Sequence, residues 1–316
     1  MAPIILFAYK RPSHTIQLLN SLATNPEAKQ SILYVYCDGA RVDASIKEKE
    51  NIQAVINIVK AESRFAQTKC IIRSENMGLA QSIITGVTEV LKTYNECIVL
   101  EDDLVVSPYF LHYMNDSLKR YKNNKSVGQI GGCNFFACTP ELPSTFFLPI
   151  PDCLGWATWQ DRWIHFEENA SKLLNDINTD AKKKAVFTMD GHYNHMEVML
   201  KNQAENNGQS WAVRWTATCV LNEWLTLYPN PSVTQHIESQ DATHAGINIL
   251  PPLQTNPIDF KTQPLVVLPL ALELQQLGCA GKVDYNGLTK VTQEKLNNNL
   301  MKLFRRYLDK IKSPET

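Results

Sequence analysis

Glu96-Cys97-Ile98-Val99-Leu100-Glu101-Asp102-Asp103 is the stretch on which the fold turns. Its uninterrupted apolar run reads as a strand buried on both faces, and three carboxylates follow it at once. The same design recurs upstream. Pro3 to Tyr9 (PIILFAY) runs into Lys10-Arg11, and Ser31 to Cys37 (SILYVYC) runs into Asp38-Gly39. A third short strand, Cys70 to Ile72, leads to Arg73 and Asn76. Helical patterns lie between them. Pro12 opens one that carries Ile16, Leu18, Leu19 and Leu22. Residues 44–62 place Ile52, Val55, Ile56 and Val59 on one stripe. Gly78 to Tyr94 spaces Leu79, Ile83, Val87, Val90 and Leu91 in helical register. Strand and helix alternate, which predicts an α/β protein: an α/β/α sandwich on a mostly parallel central sheet with right-handed crossovers. In such sheets ligands sit beyond the carboxyl ends of the strands, where these polar residues gather.

The remaining sequence sets limits. The 316 residues include 44% hydrophobic and 20% charged, the profile of an ordinary globular chain able to bury a sizeable core. A formal net charge of −1 gives no basic field to draw in nucleic acid. No apolar stretch is long enough to span a bilayer. The apolar start lacks a basic leader and ends at Lys10-Arg11-Pro12, so it reads as a first strand and the chain is expected in the cytoplasm. None of the eight cysteines has C-x-x-C spacing, and several sit in apolar runs, so reduced core cysteines are expected.

After another strand at Val127 to Gly132 the character changes to prolines and an aromatic-rich segment, Gly155 to Trp163 (GWATWQDRW). Residues 190–206 and 212–224 read as helices and Leu225 to Tyr228 as a strand. The expected organisation is a nucleotide half over 1–135, an acceptor and catalytic half over 136–290 within one compact unit, and a C-terminal amphipathic helix over 291–316.

Three consecutive acids at the end of a buried strand repel one another and are costly to desolvate. A hard divalent cation, Mg²⁺ or Mn²⁺, removes both costs and shares its remaining positions with phosphate. The alternative is a solvated acidic turn; the alignment with the other polar strand ends favours function. The cluster resembles the D-x-D element of GT-A glycosyltransferases, in the E-D-D form of N-acetylglucosaminyltransferase I. Phe7 to Pro12 (FAYKRP) looks like the first-strand motif of bacterial GT-A transferases. Arg73 to Leu79 (RSENMGL) is similar to their R-x-x-N-x-G-L element. GWATWQDRW and Ser210 to Trp215 (SWAVRW) are similar to motifs of bacterial polysaccharide transferases. The resemblance spans roughly residues 3–246.

The resemblance implies a GT-A fold and transfer, by inversion, of a sugar from a nucleotide diphosphate donor to a hydroxyl of a glycan or lipid-linked glycan. The setting it implies is bacterial surface polysaccharide or lipopolysaccharide assembly. Asp103 would bind the metal, with Glu101 and Asp102 toward the ribose and the metal's waters. Asp38 would recognise the base, Arg11 would lie near the pyrophosphate, and Arg73 and Asn76 would line the nucleotide pocket. Trp211 and Arg214 are expected at the substrate. His244 is the expected second metal ligand, with His236 as the alternative. A metal and an arginine would stabilise the charge on a diphosphate leaving group. The competing readings are a surface arginine for Arg11 and a turn-forming Asp-Gly for Asp38.

Trp156, Trp159 and Trp163 at helical spacing are either core or a face for stacking on a sugar, and Gly155 and Trp156 are the expected sugar contacts. Asp161 either binds a sugar hydroxyl or pairs with Arg162. An inverting transferase needs a carboxylate base. The family's aspartate near the SWAVRW position is missing, since Gln209, Ser210 and Ala212 stand there. Glu205 is the favoured candidate, with Glu223, Asp190 and Asp161 as the others. A nucleotidyltransferase would carry a glycine-rich loop after the first strand, where Tyr9-Lys10-Arg11-Pro12-Ser13 has no glycine. A glycan-binding protein without catalysis is the other rival. In the tail, Leu296, Leu300, Leu303, Phe304, Tyr307, Leu308 and Ile311 make one stripe beside Lys302, Arg305, Arg306, Lys310 and Lys312. That helix over 292–312 either packs on the domain or a partner, or rests on anionic lipid at the inner membrane face.

Overall fold

A computed structural model describes residues 1–134, 144–189, 191, 194–205, 210–237, 253 and 255–258. The strands are β1 (Ile4–Ala8), β2 (Ile32–Cys37), β3 (Gln67–Ile72), β4 (Glu96–Glu101), β5 (Leu104–Val106), β6 (Val127–Gly131), β7 (Thr145–Leu148), β8 (Trp156–Trp159), β9 (Leu225–Pro229) and β10 (Thr234–His236). The helices are α1 (Pro12–Ala23), α2 (Ile46–Ala61), α3 (Leu79–Leu91), α4 (Phe110–Tyr121), α5 (Gln160–Trp163), α6 (Ala170–Thr179), α7 (Ala181–Phe187), α8 (His195–Ala204) and α9 (Trp211–Leu221).

Eight strands form one sheet in the order β3-β2-β1-β4-β8-β6-β9-β7. The half built from β3, β2, β1 and β4 is parallel throughout. In the other half β6 and β9 are parallel, while β8 and β7 run against their neighbours. The predicted α/β class and the parallel first half agree with this arrangement; the antiparallel insertion of β8 beside β4 is what the alternation of elements does not reveal.

Helices cover both faces. Leu18, Leu19 and Leu22 of α1, Val55 and Val59 of α2, and Phe110 and Met114 of α4 pack on one side with Ile4, Leu6 and Leu100. Ile83, Val87 and Val90 of α3 pack on the other with Ile5, Val99 and the tryptophans Trp156, Trp163, Trp211 and Trp215. A separate cluster of Leu173, Ile177, Phe187, Leu200, Val213 and Ala217 binds α6, α7, α8 and α9 together.

The segment GWATWQDRW does not form the single helical face that its spacing suggests. Trp156 to Trp159 is a strand, so residues three apart point to opposite faces. Trp159 joins the α1–α4 side, and Trp156 joins the α3–α9 side with Trp163. A two-stranded ladder of β5 and β10 stands apart from the main sheet. It pairs Leu104 with His236 and Val106 with Thr234. Among the described residues, Cys37, Cys70, Cys97, Cys133, Cys153 and Cys219 are free thiols; Cys138 and Cys279 lie outside them. No helix among the described residues is long and apolar enough to cross a membrane.

Candidate active site

β4 ends at Glu101, and Asp102 and Asp103 turn the chain into β5. β1 lies beside β4, with Phe7 opposite Glu101, so its carboxyl end delivers Tyr9, Lys10 and Arg11 to the same place. Arg11 forks between the two aspartates. One guanidinium nitrogen bonds Asp102 Oδ1, and the other donates to Asp103 Oδ2 at 3.1 Å. The Tyr9 amide also points at Asp102 Oδ2, at 3.5 Å.

The β5–β10 ladder brings in a histidine. Ile237 N–H donates to the Asp103 carbonyl at 2.7 Å, and His236 Nε2 stands 3.4 Å from Asp103 Oδ2. This approach needs a glycine. Gly155 has φ +78°, and a Cβ there would come within 2.6 Å of Thr234 Cγ2 and 3.3 Å of Leu100 Cδ2. Gly155 thereby seats β10 against the end of β4.

The three acids occupy different electrostatic environments. Burial, reinforced by the charges of Asp103 and Asp102, pushes Glu101 up to about 8. The Trp211 side chain, at the start of α9, lies beside this carboxyl and pulls its pKa the other way. Asp102 is 3% exposed, and burial raises its pKa against the opposing pull of Arg11. For Asp103 burial also acts upward, but the His236 hydrogen bond and the Arg11 charge outweigh it and hold the group below the usual carboxylate range. Asp102 and Asp103 thus face one guanidinium.

Asp103 and His236 are the residues able to hold a divalent ion. Among the described residues no group of three or more His, Cys, Asp or Glu side chains converges as a metal cage. A Mg²⁺-type ion needs no such cage, because one or two protein ligands suffice when phosphates and waters complete the octahedron. The excess carboxylate charge and the adjacent imidazole fit such an ion. His244, the ligand preferred on sequence grounds, lies outside the described residues. The alternation of Thr234-Gln235-His236 was the available signal for His236, but its register against β5 was not.

The other predicted residues divide. Asp38 is a structural knot. Its Oδ1 accepts N–H bonds from Gly39 and Met77 at 3.0 and 2.9 Å, and its Oδ2 accepts from Gly78 at 3.0 Å and Asn76 Nδ2 at 3.1 Å. Asn76 also donates to the Gly39 carbonyl at 2.9 Å. Together they tie the carboxyl end of β2 to the turn that opens α3. Arg73 lies over the Tyr36 ring and reaches Glu89 at 3.2 Å.

Trp156 is 1% exposed and packed among Trp211, Trp163 and Trp215, with ring centroids 5.3–6.1 Å away. It is core, which corrects the expected sugar contact. Arg214 donates to the carbonyls of Ser210 and Glu168 at 3.1 and 3.3 Å and so braces α9. Glu205 caps the end of α8 as an exposed acid, 4.0 Å from Lys201. Asp161 belongs to the opposite end of the sheet, since Trp159 pairs with Glu96 at the start of β4. There it bonds Lys125 and, at 2.5 Å, Arg162. This removes it from the catalytic and sugar-contact candidates. A 520 Å³ cleft between α6, α7 and α9, bordered by Lys172, Asp176 and Lys183, holds none of the predicted residues.

Sequence reading alone missed His14, which sits in the first turn of α1 with its ring 9% exposed, among Arg11, Asp102, Asp103 and His236.

No protein-family model matches the chain, and no curated protein does. Solved structures give partial likenesses. S. aureus TarS 1–349 is 14% identical with a TM-score of 0.32, over 56% of this chain and 49% of that one. Glucosyl-3-phosphoglycerate synthase from Mycobacterium tuberculosis, crystallised with Mn²⁺, UDP and glucosyl-3-phosphoglycerate, is 10% identical with a TM-score of 0.35. That match covers 66% of this chain and 81% of that one. A UDP-glucose pyrophosphorylase complexed with UDP-glucose is 13% identical with a TM-score of 0.35, over 74% and 93%. The chain spans about half the length of the TarS 1–349 structure that it matches. At TM-scores this low the likenesses carry no argument about mechanism.

Proposed function

We propose that this chain is a nucleotide-sugar-dependent glycosyltransferase of the GT-A type. In this reading it transfers a sugar from a nucleotide diphosphate donor to a hydroxyl of a glycan or lipid-linked glycan. The observation that carries the reading is the charge imbalance at the end of β4, where Asp102 and Asp103 share the single guanidinium of Arg11 beside the buried Glu101. Acids gathered at the carboxyl end of a central strand, beside an arginine and an imidazole, suit a divalent ion gripping a diphosphate.

Asp103 and His236 would hold Mn²⁺ or Mg²⁺, which when bound supplies charge stabilisation for the departing diphosphate. Arg11, now bonded to Asp102 and Asp103, would be available to the phosphate oxygens where a divalent ion neutralised those carboxylates. Glu101, whose pKa is raised by burial, would face a ribose or sugar hydroxyl. Asp38 and Asn76 would shape the base pocket through the turn they tie together. Glu205 is carried forward as the base, and inversion with it.

A binder that has lost catalysis is the second reading, favoured by one observation: Asp161 is engaged far from the acids, which leaves an exposed residue as the remaining base candidate. Calorimetry against a panel of nucleoside diphosphates, with and without Mn²⁺, tests donor binding. Metal-dependent binding is expected, and its absence for every nucleotide ends the glycosyltransferase reading. Release of nucleoside diphosphate from a donor sugar then separates the enzyme from the binder, and Glu205→Gln should slow that release at least tenfold.

A further inference from the structure

The first turn of α1 carries more donors than the fold uses. Pro12 occupies the first helical position and brings no N–H, no acidic residue lies in that turn, and no side chain caps it. The Thr15 amide is taken by the Arg11 carbonyl at 3.0 Å. The amides of Ser13 and His14 have no acceptor among the described residues. An uncapped helix start presents free N–H groups and the positive end of the dipole, which together favour an anion.

An independent observation lies in the same turn. His14 is 9% exposed, and its Nδ1 has no hydrogen-bond partner among the described residues. A buried polar atom left without a partner is costly, and its retention calls for a ligand or another explanation. His14 stands three residues after Arg11, which bonds Asp102 and Asp103, so the free atom is placed beside the site.

We propose that the α1 start and His14 form the seat for the phosphate oxygens of a diphosphate group, with His14 Nδ1–H as its side-chain donor. The proposal rests on the donor reading above for the source of that diphosphate. The two aspartates nearby would repel a bare anion, so the seat fills together with the divalent ion at Asp103 and His236. Arg11 lines one side of the seat, the Ser13 and His14 amides form its floor, and the imidazole closes it. His14 is a binding residue here; it takes no proton from the reaction.

The test is titration calorimetry with Mn²⁺ present, using inorganic pyrophosphate and the nucleoside diphosphate panel as probes. In His14→Ala, affinity for pyrophosphate and for the bound nucleotide should both fall at least tenfold. His14→Asn offers an amide N–H near the Nδ1 position and should recover most of that loss. Equal affinity in wild type and His14→Ala overturns the seat and leaves the donor reading standing. Wild-type binding of pyrophosphate with no binding of any nucleoside diphosphate keeps the seat and sinks the donor reading. Failure of the wild type to bind either probe overturns both. If His14→Ala loses its thermal transition, His14→Leu against His14→Asn asks the same question with the space filled: binding lost in the leucine variant alone supports the seat, and equal binding removes it.

Discussion

The two ends of β4 both carry acid–base clusters, and they solve the same electrostatic problem in opposite ways. At the start of the strand Asp161 is half exposed and meets two cations, Lys125 and the buried Arg162. Arg162 is further satisfied by the carbonyls of Val127, Lys122 and Asn124 at 3.0–3.2 Å and by the Trp159 ring. Nothing there asks for a ligand. At the other end, roughly 17 Å away by strand rise, Asp102 and Asp103 share one arginine, and Asp103 also meets an imidazole. Burial, reinforced by the charges of these two aspartates, pushes Glu101 beside them up to about 8. Where cations outnumber the acid the cluster holds structure together, whereas buried carboxylates in excess of their cations suit a positive charge from outside.

Asp103→Ala should make the largest difference. Loss of its carboxylate is expected to weaken metal-dependent nucleotide binding at least hundredfold, about 2.7 kcal/mol, in calorimetry. The same experiment on Asp161→Ala should change affinity less than twofold; a comparable loss there would erase the contrast between the two ends.

Arg11→Ala probes the imbalance without ligand. Leaving Asp102 and Asp103 with no guanidinium should lower stability to urea by about 2 kcal/mol, discounted for the partial exposure of the arginine. Added Mn²⁺ should narrow that gap, since the ion substitutes for the lost charge. A gap indifferent to Mn²⁺ would count against a cation site.

Asp152 sharpens the comparison as an acid with no cation at all. It is 6% exposed and accepts backbone N–H bonds from Cys133 and Leu154 at 3.2 Å, and burial pushes it up to about 7. The folded chain therefore holds a proton that the unfolded chain releases near pH 4. This contribution to stability is full at low pH and is lost as pH rises toward 7. Asp152→Asn, which mimics the protonated acid, should flatten the fall in unfolding free energy between about pH 5 and 7 by about 1–2 kcal/mol. An unchanged slope would mean that other groups set it.

Asp161→Asn should show the smallest effect, under about 1 kcal/mol in urea unfolding and shrinking further in roughly 1 M salt, as exposed pairs do.

Much of the fold was legible. The apolar runs of β1, β2 and β4 and the striped helices α2 and α3 announce a parallel, doubly covered sheet, because periodicity and burial are local properties of sequence. The acids after β4 and Arg11 after β1 were legible as site residues for the same reason: a strand that must be buried delivers whatever follows it to a sheet end.

What the sequence left open were pairings between distant segments. Whether Asp161 faces the acids or turns its back on them depends on β8 running antiparallel to β4, a choice written in no local pattern. His236 reaches Asp103 through a register set more than a hundred residues along the chain, at a spot kept open by Gly155. Trp156 and Asp38 have the chemistry of ligand contacts, yet packing and backbone donors occupy them. Residue type and period decide which elements form and what charge they carry; the tertiary structure decides which charges meet, because Coulomb energy and hydrogen bonding depend on separations of a few ångströms that only the packed chain defines.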